Sequence, residues 1–242
     1  MFRAVQNALL SVVYPQPCRV CASDVESLTD GVACRQCWAA TRIFRGTELL
    51  CDKCGAFFGD EISPVHVFCH KCDDHYYDNA AAVGIYEKAL AASIIHLKSR
   101  PVLAGRLKAA VSEAFGRSRF LDAELIIPIP LSRQRKLERG FNQAEIVARL
   151  VARASGIRVD ASSLGRRLHT PIHRIGMDKR ARELTVKNAF EVVRPKLVDG
   201  KRILLVDDVF TSGATASACA RILKKRGVVS VNVFTLARAV MH

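Results

Sequence analysis

RILLVDDVFTSGAT, residues 202–215, runs from apolar residues through two carboxylates into a cluster of small and hydroxyl-bearing residues. Ile203, Leu204, Leu205 and Val206 follow one another without alternation, which predicts a strand covered on both faces, as in a parallel sheet between helix layers. The segment from Ala214 to Lys225 reads as a helix, with Gly227 placed to terminate it. Strand, turn and helix then leave Thr211, Ser212, Gly213, Ala214 and Thr215 at a helix N-terminus. There, backbone N–H groups and hydroxyls favour an anion such as a 5′-phosphate. Gly213 permits close backbone approach. Asp207 and Asp208 fall at the carboxyl end of the strand, within reach of a ribose diol and, directly or through water, of Mg²⁺. Two adjacent acids repel unless cations or hydroxyls compensate them.

Outward from this stretch, residues 79–242 alternate strands with helices, the pattern of an α/β parallel sheet. AAVGIYE and ELIIPIP read as strands, and LAASIIHLKS, LAGRLKAAVSEAFGR and FNQAEIVARLVARASG as helices. VSVNVFTLARAV is a closing apolar strand, and SRQRKLERG is expected to be a basic loop. In that loop Arg133, Arg135, Lys136 and Arg139 face only Glu138, and guanidinium forks suit phosphate oxygens. Asn142 and Gln143 are expected to begin the following helix and brace the loop. Lys98 is either an anion contact or a solvated cation, and Cys219 an inert buried thiol.

Residues 1–78 lack long periodic helices and carry four Cys-x-x-Cys pairs: Cys18 and Cys21, Cys34 and Cys37, Cys51 and Cys54, Cys69 and Cys72. A structural zinc takes four thiolates in a tetrahedron, so four pairs provide two closed sites. Spacers of 12, 13 and 14 residues permit sequential or interleaved pairing; sequential tandem ribbons are favoured, each spacer suiting a short hairpin. His66, His70 and His75 lie near the last pair as alternative ligands or surface groups. Trp38 is expected to cap the small core rather than stack on a base.

The full chain has 242 residues and a formal charge of +14. Eight zinc-bound thiolates and two zinc ions reduce this to about +10. Residues 1–78 hold 7 Lys/Arg against 10 Asp/Glu, and residues 79–242 hold 30 against 13. The positive field therefore belongs to the larger part and implies anionic partners, a polyphosphate ligand or nucleic acid. Half the residues are hydrophobic, yet no run is long enough to span a bilayer. The opening MFRAVQNALLSVVYPQPC lacks a cleavage site and reads as a short helix with Phe2, Val5, Leu9 and Val12 or Val13 on one face. Paired cysteines without an export signal predict a reduced, cytoplasmic setting.

VDDVFTSGAT resembles the phosphoribosyl pyrophosphate motif of type I phosphoribosyltransferases. PIPLSRQRKLERGFNQA, residues 128–144, resembles the second signature of the ComF family of competence-related proteins, and the resemblance covers nearly the whole chain. It implies a type I phosphoribosyltransferase-like parallel sheet flanked by helices (residues 79–242) behind a small double zinc-ribbon domain (residues 1–78). It implies two structural Zn²⁺, and Mg²⁺ with phosphoribosyl pyrophosphate. Asp207 and Asp208, also the catalytic candidates, would take the ribose hydroxyls, Thr211 to Thr215 the 5′-phosphate, and the segment from Leu131 to Arg139 would face the pyrophosphate. The basic stretch from Arg166 to Arg182 would form a hood over the ligand. His173 stands where many relatives carry glutamine, and Thr185 where they carry asparagine, so the acceptor chemistry is unassigned. The resemblance adds single-stranded DNA and a DNA-uptake helicase as partners. Three functions follow as expectations: a ligand-binding protein of DNA uptake or processing, an active nucleobase or amide phosphoribosyltransferase, or a zinc-stabilised adaptor with a vestigial cradle.

Overall fold

Both faces of the RILLV strand are covered, and by different parts of the chain. The structure is a computed structural model that describes residues 15–60, 66–167 and 189–240. The expected N-terminal helix lies outside these residues. Five strands form a parallel sheet: β3 (Asn79–Ile85), β4 (Leu125–Pro128), β5 (Arg158–Val159), β8 (Arg202–Phe210) and β9 (Ser230–Arg238). Their order is β3-β9-β8-β4-β5, so β8 lies between β9 and β4, with Val206 opposite both Phe234 and Pro128.

Alternate residues of β8 point to opposite faces. Leu204 and Val206 join Phe234, Leu236 and Ile126 in a core with three helices: α2 (Lys88–Leu97), α3 (Gly105–Gly116) and α5 (Gln143–Ser155). Ile203 and Leu205 join Val231, Val233 and Ile127 against α7 (Ala214–Lys224). The same layer holds the antiparallel pair β6 (Leu164–Arg166) and β7 (Phe190–Val192) and the short α6 (Pro195–Val198). Covering both faces explains the unbroken apolar run.

The cysteine pairs divide between the two layers. Cys18, Cys34, Cys37 and Trp38, the latter in α1 (Arg35–Ala39), pack with Leu90 and Ile94 on the α2/α3/α5 face. Trp38 is buried and its Nε1–H donates to the Asp30 carbonyl at 2.8 Å, so it caps that core. Cys51, Cys54 and Cys72 pack with Tyr77 and Phe210 on the α7 face. The antiparallel pair β1 (Leu49–Leu50) and β2 (Phe57–Gly59) flanks Cys51 and Cys54, which lie in the turn that connects its strands. The linking chain crosses edge strand β3, where the Phe44 N–H donates to the Val83 carbonyl and Ile85 to Arg42. A Cβ on Gly84 would collide with the Arg42 carbonyl oxygen, so only glycine admits this crossing.

One expected element differs. Residues 133–139, expected to be a loop, form helix α4 (Arg133–Arg139). Ser132 caps it by accepting from the Arg135 N–H at 3.3 Å, and Gly140 ends it in the left-handed conformation. Its charged residues show no apolar stripe, and Leu137 is exposed, which is why the helical period was invisible in the sequence.

Candidate functional site

From β4 the chain passes through α4 to α5 on one face and then to β5 on one side of the sheet. From β8 it passes to α7 on the other face and to β9 on the other side. The adjacent carboxyl ends of β4 and β8 thus mark the switch point where open α/β sheets leave a crevice for ligands. Asp207, Asp208 and the following turn lie there, and the chain entering α4 starts directly beside them, the Ile129 N–H donating to the Val206 carbonyl at 2.9 Å.

The acids are half-buried and mutually constrained. Asp207 accepts from the Asp208 N–H at 2.8 Å. Desolvation first, and the Asp208 carboxylate second, push the Asp207 pKa up to about 8. Lys98, at the end of α2, places its ammonium 3.4 Å from Asp208, the compensating cation that such a pair requires. Lys98 is therefore an acid partner and not a free surface cation. Two carboxylates do not enclose a Mg²⁺ by themselves, but they fit one whose remaining ligands are phosphate oxygens and water.

The turn after β8 has the electronic form of an anion site. Gly213 caps α7 with φ +79°, a conformation natural to glycine. Among the described residues the N–H groups of Thr211, Ser212 and Gly213 have no acceptor, and that of Ala214 reaches Ser212 Oγ at 3.4 Å. Unpaired N–H groups at the positive end of a helix are what an incoming phosphate needs. The sequence-derived residues 207, 208 and 211–215 are thus brought together in space.

The basic groups are less uniformly assembled. Arg133 and Arg135 are exposed on α4 and Arg139 is partly covered; among the described residues none of them touches Asp207 or Asp208. Arg166 is the last residue of β6. Its guanidinium stacks on Phe190 at 5.1 Å and its Nε is buried without an acceptor among the described residues. Burial lowers its pKa, Arg135 lowers it further, and Asp207 is among the groups that raise it. Arg166 therefore lies in the electrostatic field of both Arg135 and Asp207. The remaining hood residues, including His173, Arg174, Lys179, Arg180, Arg182 and Thr185, lie outside the described residues. Asn142 braces the segment as expected: its Nδ2 donates to the Ile129 carbonyl at 3.0 Å and its Oδ1 accepts from Ala144 N–H. Cys219 is buried in α7, with its pKa raised well above the usual thiol value by desolvation.

The eight paired cysteines form two groups, Cys18–Cys21–Cys34–Cys37 and Cys51–Cys54–Cys69–Cys72, the sulfurs of each within 4.8 Å of one another. This is the sequential arrangement. A tetrahedron with metal–sulfur bonds of about 2.3 Å has sulfurs about 3.8 Å apart. Observed contacts include Cys21–Cys34 at 3.6 Å, Cys51–Cys72 at 3.7 Å and Cys54–Cys69 at 3.4 Å. Backbone N–H groups also aim at the sulfurs, Cys34 at Cys18 Sγ and Cys69 at Cys51 Sγ, both 3.3 Å, as thiolates require. Both groups fit zinc as a closed structural ion. His66 instead contacts Asp52 at 3.1 Å, and His75 contacts Tyr77.

With this geometry in hand, comparison with known proteins places the chain. The double zinc ribbon domain family matches residues 9–75 and the phosphoribosyl transferase domain family residues 147–240. Competence protein F of Haemophilus influenzae is 31% identical over 198 residues, which cover 78% of this chain and 84% of that protein. The chain belongs to the ComF family. Another relative of the ComF chain is the DNA utilization protein YhgH of Escherichia coli, 29% identical over 84% of this chain and 89% of its own length. Competence protein ComFC of Bacillus subtilis is 33% identical over 48% of this chain and 45% of its own. Among solved structures, the glutamine phosphoribosylpyrophosphate amidotransferase from B. subtilis aligns with 57% of this chain and 29% of its own, at 21% identity and a TM-score of 0.40. The fold of this ComF protein is the phosphoribosyltransferase-like parallel sheet flanked by helices, carrying a double cysteine cluster. No helix among the described residues is long and apolar enough to cross a membrane.

Sequence reasoning passed over Arg238, near the end of β9. It is 8% exposed, donates to the Cys54 carbonyl and to Cys54 Sγ, and stacks on Phe210. Its one visible signal was a cation in an apolar strand, where an unpaired charge is costly.

Proposed function

We propose that this protein binds phosphoribosyl pyrophosphate with Mg²⁺ at the carboxyl ends of β4 and β8, and that it serves DNA uptake or DNA processing. The observation that carries the reading is the pairing of an acidic dyad, strained by its own charge, with a turn of unpaired N–H groups at a helix N-terminus. In this reading Asp207 and Asp208 hold the ribose hydroxyls, and Thr211, Ser212, Gly213, Ala214 and Thr215 hold the 5′-phosphate. Arg166, with Arg133, Arg135 and Arg139 of α4, meets the pyrophosphate. Residues 79–242 form the ligand-binding part and residues 1–78 the zinc-bearing part.

The residues divide the work by charge. Asp207 and Asp208 would hold Mg²⁺ when it is bound, and the ion would supply charge screening for the pyrophosphate. The turn's N–H groups fix the 5′-phosphate and with it the position of the ribose. Lys98 yields Asp208 to the diol as the ligand enters, and guanidinium groups stabilise negative charge on the leaving side. These groups supply the leaving-group half of a pentosyl transfer. The described residues contain no assigned pocket for an acceptor base, so binding is the core of the proposal and transfer its extension.

The role in DNA rests on the names of the relatives and on the basic character of residues 79–242. Single-stranded DNA and a DNA-uptake helicase are the partners it implies. Isothermal titration of the zinc-loaded protein with phosphoribosyl pyrophosphate and Mg²⁺ tests the ligand. Wild type should bind, and Asp207→Asn combined with Asp208→Asn should lose at least about tenfold in affinity at constant zinc content. Equal affinity in the two proteins refutes the assignment. Single-stranded DNA binding should fall steeply between about 50 and 200 mM salt. A flat salt response removes the electrostatic basis of that role.

A further inference from the structure

The second cysteine group and the phosphate turn share a wall, and three side chains connect them. Arg238 is anchored on Cys54 through its carbonyl and through Sγ at 3.3 Å. The same guanidinium lies 4.6 Å over the ring of Phe210, the last residue of β8. Phe210 also receives Tyr77 edge-on at 5.7 Å. Tyr77, 1% exposed, bonds His75 Nδ1 at 2.6 Å. The backbone N–H of His75 donates to the Cys72 carbonyl at 3.1 Å.

These contacts converge on Gly213. A Cβ there would meet Phe210 Cζ at 2.7 Å and His75 Cε1 at 2.9 Å, so the helix cap sits in a notch made by those two rings. Beside it, the Tyr76 N–H donates to Ser217 Oγ in the first turn of α7 at 3.1 Å. Among the described residues the first cysteine group has no such connection, because it packs against α2 and α3 on the opposite face of the sheet. Charge adds a reason for the link. Four thiolates around one Zn²⁺ carry a formal charge of about −2, which suits a buried guanidinium whose partners are a sulfur, a carbonyl and an aromatic face.

We infer that the second metal cluster positions the phosphate turn, with Arg238, Tyr77 and His75 as positioning residues that transmit its occupancy to Gly213. Loss of that ion loosens the β8–α7 corner, whereas loss of the first leaves it in place. The ligand consequence rests on the phosphate-binding reading above; the mechanical coupling does not.

The test uses the full chain, with zinc content and amide hydrogen exchange measured on the same samples. Cys69→Ser should retain one zinc, and the amides of Ser217 to Ala220 should exchange at least about tenfold faster. Cys21→Ser should also retain one zinc but leave those amides at the wild-type rate. Arg238→Met should keep both zincs, speed the same amides, leave those of α3 and α5 unchanged, and weaken binding of Mg²⁺–phosphoribosyl pyrophosphate by about tenfold. Unchanged exchange at Ser217–Ala220 in Arg238→Met, or equal effects of the two cysteine variants, overturns the inference. Should Cys69→Ser unfold the chain, Arg238→Met decides alone. If wild type binds no ligand while the exchange pattern holds, the ligand reading fails and the coupling stands.

Discussion

Replacing Asp207 by asparagine should make the ligand-free protein more stable while removing its grip on a diol. An aspartate ionises near 3.8 when unperturbed, whereas this one has its pKa pushed up to about 8 by desolvation and by Asp208. Between these values the unfolded chain has released a proton that the folded chain retains. Stability therefore falls as pH climbs from about 4 to about 8 and levels off above that. At pH 7 the two ionisations differ by at most about 4 kcal/mol. The Lys98 ammonium beside Asp208 and partial access to water reduce the net cost to about 1–2 kcal/mol. Asparagine removes that cost and still accepts from the Asp208 N–H. In a chain of this size each 1 kcal/mol moves the midpoint by about 2–4 °C. Scanning calorimetry at matched zinc content should show Asp207→Asn melting about 3–6 °C above wild type at pH 7.5 and about 1–2 °C above at pH 5. A lower midpoint at pH 7.5, or the same gain at both pH values, refutes the reasoning.

Gly213→Ala should cost about 1–2 kcal/mol, since φ there is +79° and the new methyl meets Phe210 and His75; an unchanged denaturation midpoint would show that the notch is loose. Arg166→Met should lower affinity for the pyrophosphate-bearing ligand by about tenfold while affinity for ribose 5-phosphate stays constant, and titration with both ligands checks it. Cys18→Ser should release one zinc equivalent and no more, because its group is separate from that of Cys51; elemental analysis showing loss of both would make the sites interdependent.

The parallel sheet was legible because β8 and β9 are apolar on both faces, and a short unbroken apolar run needs cover on both sides. The grouping of the acidic and turn residues of the candidate site was legible for a related reason: they are contiguous in sequence, so a strand–turn–helix reading alone brings them together. Spacing favoured sequential cysteine pairing, but nothing in the spacers said that the two groups lie on opposite faces of the sheet. That depends on the chain crossing the edge of β3 at Gly84, a tertiary event. Helix α4 was hidden although its caps, Ser132 and Gly140, were present, since an exposed charged helix has no stripe to detect. Two contacts had no local signal at all. Arg238 meets Cys54 across 184 positions, and Lys98 meets Asp208 from a different layer; both are consequences of the assembled sheet.

The central claim is that the turn following Phe210 receives a sugar phosphate. A crystal structure of the zinc-loaded protein with Mg²⁺ and phosphoribosyl pyrophosphate tests it most directly. The account expects the 5′-phosphate oxygens within about 3 Å of the N–H groups and hydroxyls from Thr211 to Thr215, the ribose hydroxyls on Asp207 and Asp208, and Lys98 drawn away from Asp208. A ligand bound elsewhere on the chain, with the turn empty and the Lys98–Asp208 pair intact, would contradict it.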